Sequence, residues 1–149
     1  MRLTASTDYG LRMLMRMGSA PERAFSTAEL AAEFGLSRDH LSKIMQRLAR
    51  GGIVMTRRGA GGGAVLARPP EEIRLGAVVR MLEKGQTLVE CFAPDGGACT
   101  ISGCCRLKAH LRRAEAAFLD DLDRATLADV ALRAPQGARG MRPLQGVQP

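Results

Sequence analysis

Apolar residues recur at helical spacing along most of the chain, with two short apolar runs between. Tyr9, Met13, Leu14 and Met17 share one face, with Arg12 and Arg16 between them, and predict a first helix over residues 8–18. After a turn at Pro21, Ser26 stands three residues before Glu29, a capping-box pattern that opens a second helix. Leu30, Ala31 and Phe34 form its inward stripe, and Gly35 ends it. Ser37 can cap a third helix, with Leu41, Ile44, Met45 and Leu48 inward and Gly51–Gly52 as its stop. Two short helices joined only by Gly35, Leu36 and Ser37 form a helix-turn-helix pattern.

The two apolar runs follow directly. Residues 53–56 and 64–67 read as strands of a hairpin whose tip holds Arg57, Arg58 and a glycine-rich string from Gly59 to Gly63. Three helices plus such a hairpin make a winged helix. The glycines let the backbone approach a phosphate or a groove closely. The string lacks the Gly-Lys-Ser/Thr ending and following helix of a phosphate loop.

Pro69 and Pro70 punctuate the chain before an amphipathic helix over residues 74–84, with Leu75, Val78, Val79 and Leu82 on one face. Residues 85–104 lose periodicity. From Cys105 a long helix begins, whose apolar stripe runs Leu107, Leu111, Ala114, Phe118, Leu122 and Ala125 at heptad-like spacing. No second long helix exists to cover this stripe, so it is a candidate homodimer seam. The expected fold is mainly α. Residues 1–84 form a winged helix-turn-helix domain and 85–104 a cysteine loop. Residues 105–130 form a dimerisation helix with its closing segment, and 131–149 a disordered tail too poor in apolar residues to fold alone.

At 149 residues the chain has room for about one domain. It has no apolar run of the ~18 residues needed to span a membrane. The charge-broken N-terminus is not read as a signal peptide, and the expected location is the cytoplasm. The net charge of +7 is unevenly spread: +5 over residues 1–67, −1 over 68–130 and +3 over 131–149. A basic winged helix points to a polyanion, and double-stranded DNA is the partner its third helix fits. Opposite the apolar stripe that helix carries Arg38, Asp39, His40, Ser42, Lys43, Gln46 and Arg47. The first four, with Asp39 among them, are placed to read base edges, and Lys43, Gln46 and Arg47 to touch backbone. Arg57 and Arg58 at the wing tip suit the minor groove.

Cys91, Cys99, Cys104 and Cys105 all fall in or at the end of the aperiodic loop. Paired CxxC knuckles of a structural zinc site are absent. Thiolates on a wide loop suit an iron–sulfur cluster, with zinc and bare redox thiols as the alternatives. Two histidines, on the third and the long helix, leave no nucleophile–base–orienter set, so an enzyme is not expected.

The strings MRLTASTDYGLR, GLSRDHLSKIMQRL, RRGAGGGAVLA, CTISGCCRLK and DRATLADV, in that order, resemble the iron–sulfur winged-helix repressors that include NsrR and IscR, and most of all the nitric-oxide-sensing NsrR type. The resemblance covers residues 1–130. It implies a homodimeric repressor on a pseudo-palindromic operator, holding a 4Fe–4S rather than a 2Fe–2S cluster. It implies Cys91, Cys99 and Cys105 as ligands, with Asp8 of the other subunit as the fourth. It places Ser37, His40, Ser42 and Arg58 at DNA-contacting positions. Nitric oxide is the implied signal, with cluster nitrosylation or loss releasing the operator. A general redox or iron–sulfur-status regulator with a 2Fe–2S cluster, and a zinc-stapled DNA-binding protein, are the alternatives. The sequence departs from the IscR type in having Lys108 where that type has a histidine. Seven residues separate Cys91 from Cys99, a longer gap than is usual in the family, and Cys104 is additional.

Overall fold

A computed structural model describes residues 2–59, 61–101 and 103–132. In chain order they form α1 (Ala5–Gly18), α2 (Thr27–Phe34), α3 (Arg38–Arg50), β1 (Val54–Arg57), β2 (Gly63–Leu66), α4 (Leu75–Leu82), α5 (Arg106–Leu122) and α6 (Leu127–Val130). Short 3-10 turns lie at Pro70–Glu72 and Glu90–Phe92. The expected mainly helical winged helix is the observed architecture. All but the first two residues of the tail expected from residue 131 lie outside the described residues.

The first three helices each begin where a side chain satisfies one of their free N–H groups. The first helix starts three residues earlier than its apolar stripe indicates, because Thr4 is its cap and accepts from the Thr7 N–H. Ser26 caps α2 by accepting from the Glu29 N–H at 3.0 Å, and the Glu29 carboxylate pairs with Arg23. Ser37 caps α3 by accepting from the His40 N–H. Between α2 and α3 the chain reverses at Gly35, whose φ of 65° is a left-handed conformation that a side chain would strain.

The wing is an antiparallel pair with Val54 opposite Leu66 and Arg57 opposite Gly63. A third segment joins it where the α1–α2 loop passes. Phe25 exchanges both backbone hydrogen bonds with Ala64, each at 2.8 Å. The Phe25 ring is buried beneath the guanidiniums of Arg16 and Arg23. Phe25 thus ties the wing's second strand to the helical body, although its stretch reads as a polar turn in the sequence.

One core runs through these elements. It is built from Met13, Leu14 and Met17 of α1, Leu30 of α2, Leu41, Ile44 and Leu48 of α3, Ile53, Val54 and Leu66 of the wing, and Val78 and Leu82 of α4. Burying each such side chain contributes roughly 1.5–3 kcal/mol. Leu127 belongs to the same core and is fully buried. It arrives on α6, a four-residue helix closed by a capping box in which Thr126 and Asp129 exchange hydrogen bonds. The Leu127 N–H donates to the Ile73 carbonyl at 2.8 Å, and the Leu132 N–H to the Met15 carbonyl at 3.0 Å, so the closing segment returns onto α1.

The long helix ends at Leu122, which leaves Ala125 of the expected stripe in the turn before α6, where its carbonyl accepts from the Leu75 N–H. Along α5 no residue is buried within the single chain, and Leu107 is 61% exposed. Its C-terminal end packs on α4, where a side chain at Gly76 would meet Asp123 and the Leu119 carbonyl, and where Arg80 grips the Asp123 carboxylate.

Candidate DNA interface and cysteine loop

The N-terminal turns of α3 point away from the core. Arg38, Asp39, Lys43 and Gln46 are exposed, and Ser42 is half-buried. They lie on the side of α3 opposite Leu41, Ile44 and Leu48; Arg57 and Arg58 of the wing are also exposed, and Arg57 Nη1 donates to the Glu22 carbonyl at 3.4 Å. Ser37, read as a DNA-contacting residue, also spends its hydroxyl on capping α3.

Two residues of the expected reading face have protein partners as well. The His40 ring leans onto α1. Its Nε2 lies 3.2 Å from the Ser6 Oγ, and its ring meets that of Tyr9 edge-on at 5.3 Å. The Arg47 guanidinium reaches back to donate to the Leu82 carbonyl at the end of α4. Beside it, Glu83 Oε1 accepts from the N–H and the hydroxyl of Thr4, both at 2.9 Å. Burial alone would raise the Glu83 pKa. Hydrogen bonds from Thr7 and Thr4, with the charge of Arg47, outweigh it and hold the carboxyl below its ordinary value. The cap of α1, the end of α4 and the recognition helix α3 therefore meet at one polar junction. Helical periodicity gives no sign of it, because long outward side chains can fold back on their own protein.

Asp8 lies in the first turn of α1, where Arg12 grips its carboxylate with Nε–Oδ1 at 3.1 Å and Nη2–Oδ2 at 2.6 Å. The cysteines behave unequally. Cys104 is exposed, and its Sγ lies 3.6 Å from the Ile101 carbonyl. Cys91, Cys99 and Cys105 are half-buried free thiols whose sulfurs make no hydrogen bond among the described residues. Cys105 stands at the N-cap of α5, where the backbone dipole favours an anion. Three soft donors of this kind, on a loop that ends at a helix N-terminus, fit an iron–sulfur cluster. Among the described residues no three His, Cys, Asp or Glu side chains of one chain converge at metal-binding distance.

Comparison with known proteins decides the family. The sequence profile of Rrf2, described as "Iron-dependent Transcriptional regulator", matches residues 3–133. The chain belongs to the Rrf2 family. It is 45% identical over 131 residues to the "HTH-type transcriptional regulator NsrR" of Geobacillus kaustophilus (strain HTA426), covering 87% of this chain and 89% of that protein. Among solved structures, IscR of T. potens superposes with a TM-score of 0.71 at 25% identity, over 94% of each chain. CymR of B. subtilis, described as the global cysteine regulator, superposes with a TM-score of 0.68 at 27% identity, over 88% of this chain and 96% of that one. This Rrf2 chain is accordingly a winged-helix transcriptional regulator and not an enzyme. Among the described residues no helix is long and apolar enough to cross a membrane.

Proposed function

We propose that this Rrf2 chain is a cytoplasmic, homodimeric repressor that holds an iron–sulfur cluster and releases its operator in response to nitric oxide. The observation that carries the reading is the three half-buried free thiols at Cys91, Cys99 and Cys105, on a loop joined to a winged helix similar to NsrR. The division of labour is residues 1–84 for DNA, 85–104 for the cluster, 105–130 for dimerisation and 131–149 as a tail.

In the dimer the two α3 helices enter successive major grooves. Arg38, His40 and Ser42 face bases, with Ser37 at the helix start. Lys43, Gln46 and Arg47 face phosphates, and Arg57 and Arg58 the adjacent minor groove. The half-exposed stripe of Leu111, Phe118 and Leu122 on α5 packs against a second copy of itself. Cys91, Cys99 and Cys105 of one protomer hold the cluster with Asp8 of the partner subunit, and 4Fe–4S fits the reading better than 2Fe–2S. Held there, the cluster would supply iron able to bind nitric oxide.

The protein's own part is transmission. To act as a ligand, Asp8 exchanges its Arg12 partner for the partner subunit's loop. Asp8 lies between Ser6 and Tyr9, the two α1 residues that touch His40 of α3. A displacement of Asp8 is therefore delivered to the reading helix. The coupling between cluster and operator is expected at ~1–3 kcal/mol.

The test is an absorption spectrum of anaerobically purified protein before and after stoichiometric nitric oxide, with an operator titration on each sample. Visible absorption that bleaches together with a roughly 5–150-fold loss of operator affinity supports the reading. A colourless zinc protein refutes it, as does a Cys99→Ala variant that still represses and still responds to nitric oxide.

A further inference from the structure

The long gap between Cys91 and Cys99 is not open chain. The Phe92 N–H donates to the Val89 carbonyl at 3.0 Å, the Ala93 N–H to the Glu90 carbonyl at 3.0 Å and the Gly96 N–H to the Ala93 carbonyl at 2.8 Å. Asp95 Oδ1 accepts from the Gly97 N–H at 3.0 Å. The loop then closes on a side chain, because Glu90 Oε1 accepts from the Ala98 N–H at 2.9 Å. Glu90 and Ala98 are the residues immediately before Cys91 and Cys99. Gly97 completes the closure. It sits at φ +61°, and a Cβ there would lie 2.6 Å from the Glu90 Cγ and 2.7 Å from the Glu90 carbonyl oxygen. On the other flank of Cys91, the Arg112 guanidinium covers the Phe92 ring at 5.3 Å. That contact ties the start of the loop to α5, the helix Cys105 begins.

We propose that Glu90 is a positioning residue for the cysteine loop. Its carboxylate staples the two cysteine-bearing ends together, so that Cys91 and Cys99 approach a metal as a preset pair despite the seven residues between them. Without the staple this length of chain has to be ordered when the metal binds, at a cost in entropy. The inference rests on the cluster reading for its biological role, but its physical content, paired thiols in the metal-free protein, does not.

The experiment uses Co²⁺ alone, titrated anaerobically into metal-free full-length protein and followed by its thiolate charge-transfer absorption. Glu90→Ala is expected to weaken Co²⁺ binding by about three- to tenfold, the worth of one hydrogen bond. Glu90→Gln keeps an acceptor oxygen and is expected to stay close to the unsubstituted protein. Gly97→Ala, which crowds the staple without touching a thiol, is expected to weaken binding as Glu90→Ala does. Cys99→Ala sets the scale for losing a thiol. Equal Co²⁺ affinity in Glu90→Ala and the unsubstituted protein overturns the proposal, and so does an unsubstituted protein that gives no thiolate band. A parallel reconstitution with iron and sulfide separates the two readings. If no cluster forms while the Co²⁺ series behaves as expected, the cluster reading fails and the staple stands.

Discussion

Leu127→Ala is expected to destabilise the whole DNA-binding body, although residue 127 lies far along the chain from the winged helix. Leu127 is fully buried, and its neighbours leave little room for collapse: a Cβ at Gly18 would lie 3.3 Å from the Leu127 Cγ. Truncation to Ala removes the transfer free energy of the lost methyls and leaves a cavity, together about 2–5 kcal/mol. Against a domain stability of ~5–15 kcal/mol this is a large fraction. For a chain of this length it corresponds to a fall in Tm of roughly 4–20 °C. The assay is thermal and urea unfolding at fixed protomer concentration, read by far-ultraviolet circular dichroism and by operator binding. Both signals are expected to move together, because α1, α4 and α6 share one core. A loss below about 1 kcal/mol would refute the packing argument. Two separate transitions, with operator binding at the original midpoint, would show that the winged helix is stable without the closing segment.

Other substitutions test the rest of the architecture. Ser37→Ala is expected to cost about 1 kcal/mol of stability by uncapping α3, while Ser37→Asp keeps the cap and places a negative charge against DNA. Chemical denaturation with operator titration separates cap from contact: the alanine variant should lose stability, the aspartate variant affinity. Glu83 has a depressed pKa, so its stabilising effect is full above the ordinary carboxyl value of 4.5 and is lost as pH falls through the lower folded value. Glu83→Gln should therefore be less stable than the unsubstituted protein near neutral pH, and the difference should vanish in acid denaturation profiles. Leu111→Glu on the exposed stripe should yield monomers in analytical ultracentrifugation with the winged-helix circular dichroism unchanged. A dimer that survives the substitution would move the seam off α5.

Much of this fold is legible in the sequence because its signals are local. Ser26, Ser37 and Gly35 mark helix ends that the structure reproduces, and the apolar runs around the glycine string mark the wing. What escapes has no period. Phe25 is a one-residue bridge, so no alternation announces it. The four residues of α6 contribute a single buried side chain, too few for a helical stripe. Thr4 caps a helix whose first stripe residue, Tyr9, comes a full turn later. At the candidate site the exposed arc of α3 is correctly polar, but periodicity treats outward side chains as free. His40 and Arg47 show that two of them are shared between the reading surface and the protein beneath it. The Glu90 contact lies in a stretch without periodicity, and only three-dimensional closure shows what it holds.

The bridge between Phe25 and Ala64 has a consequence for how such regulators diversify. It anchors the hairpin near its distal end, one residue from the pair Arg57–Gly63, and leaves Arg58, Gly59, Gly61 and Gly62 outside every strand. Lengthening or recharging that distal stretch perturbs no hydrophobic packing. On the proposed mode of binding, the wing's contacts to the minor groove can therefore drift independently of α3's contacts to the major groove. New target sites are reachable by mutating a few surface codons, with the scaffold's folding left intact.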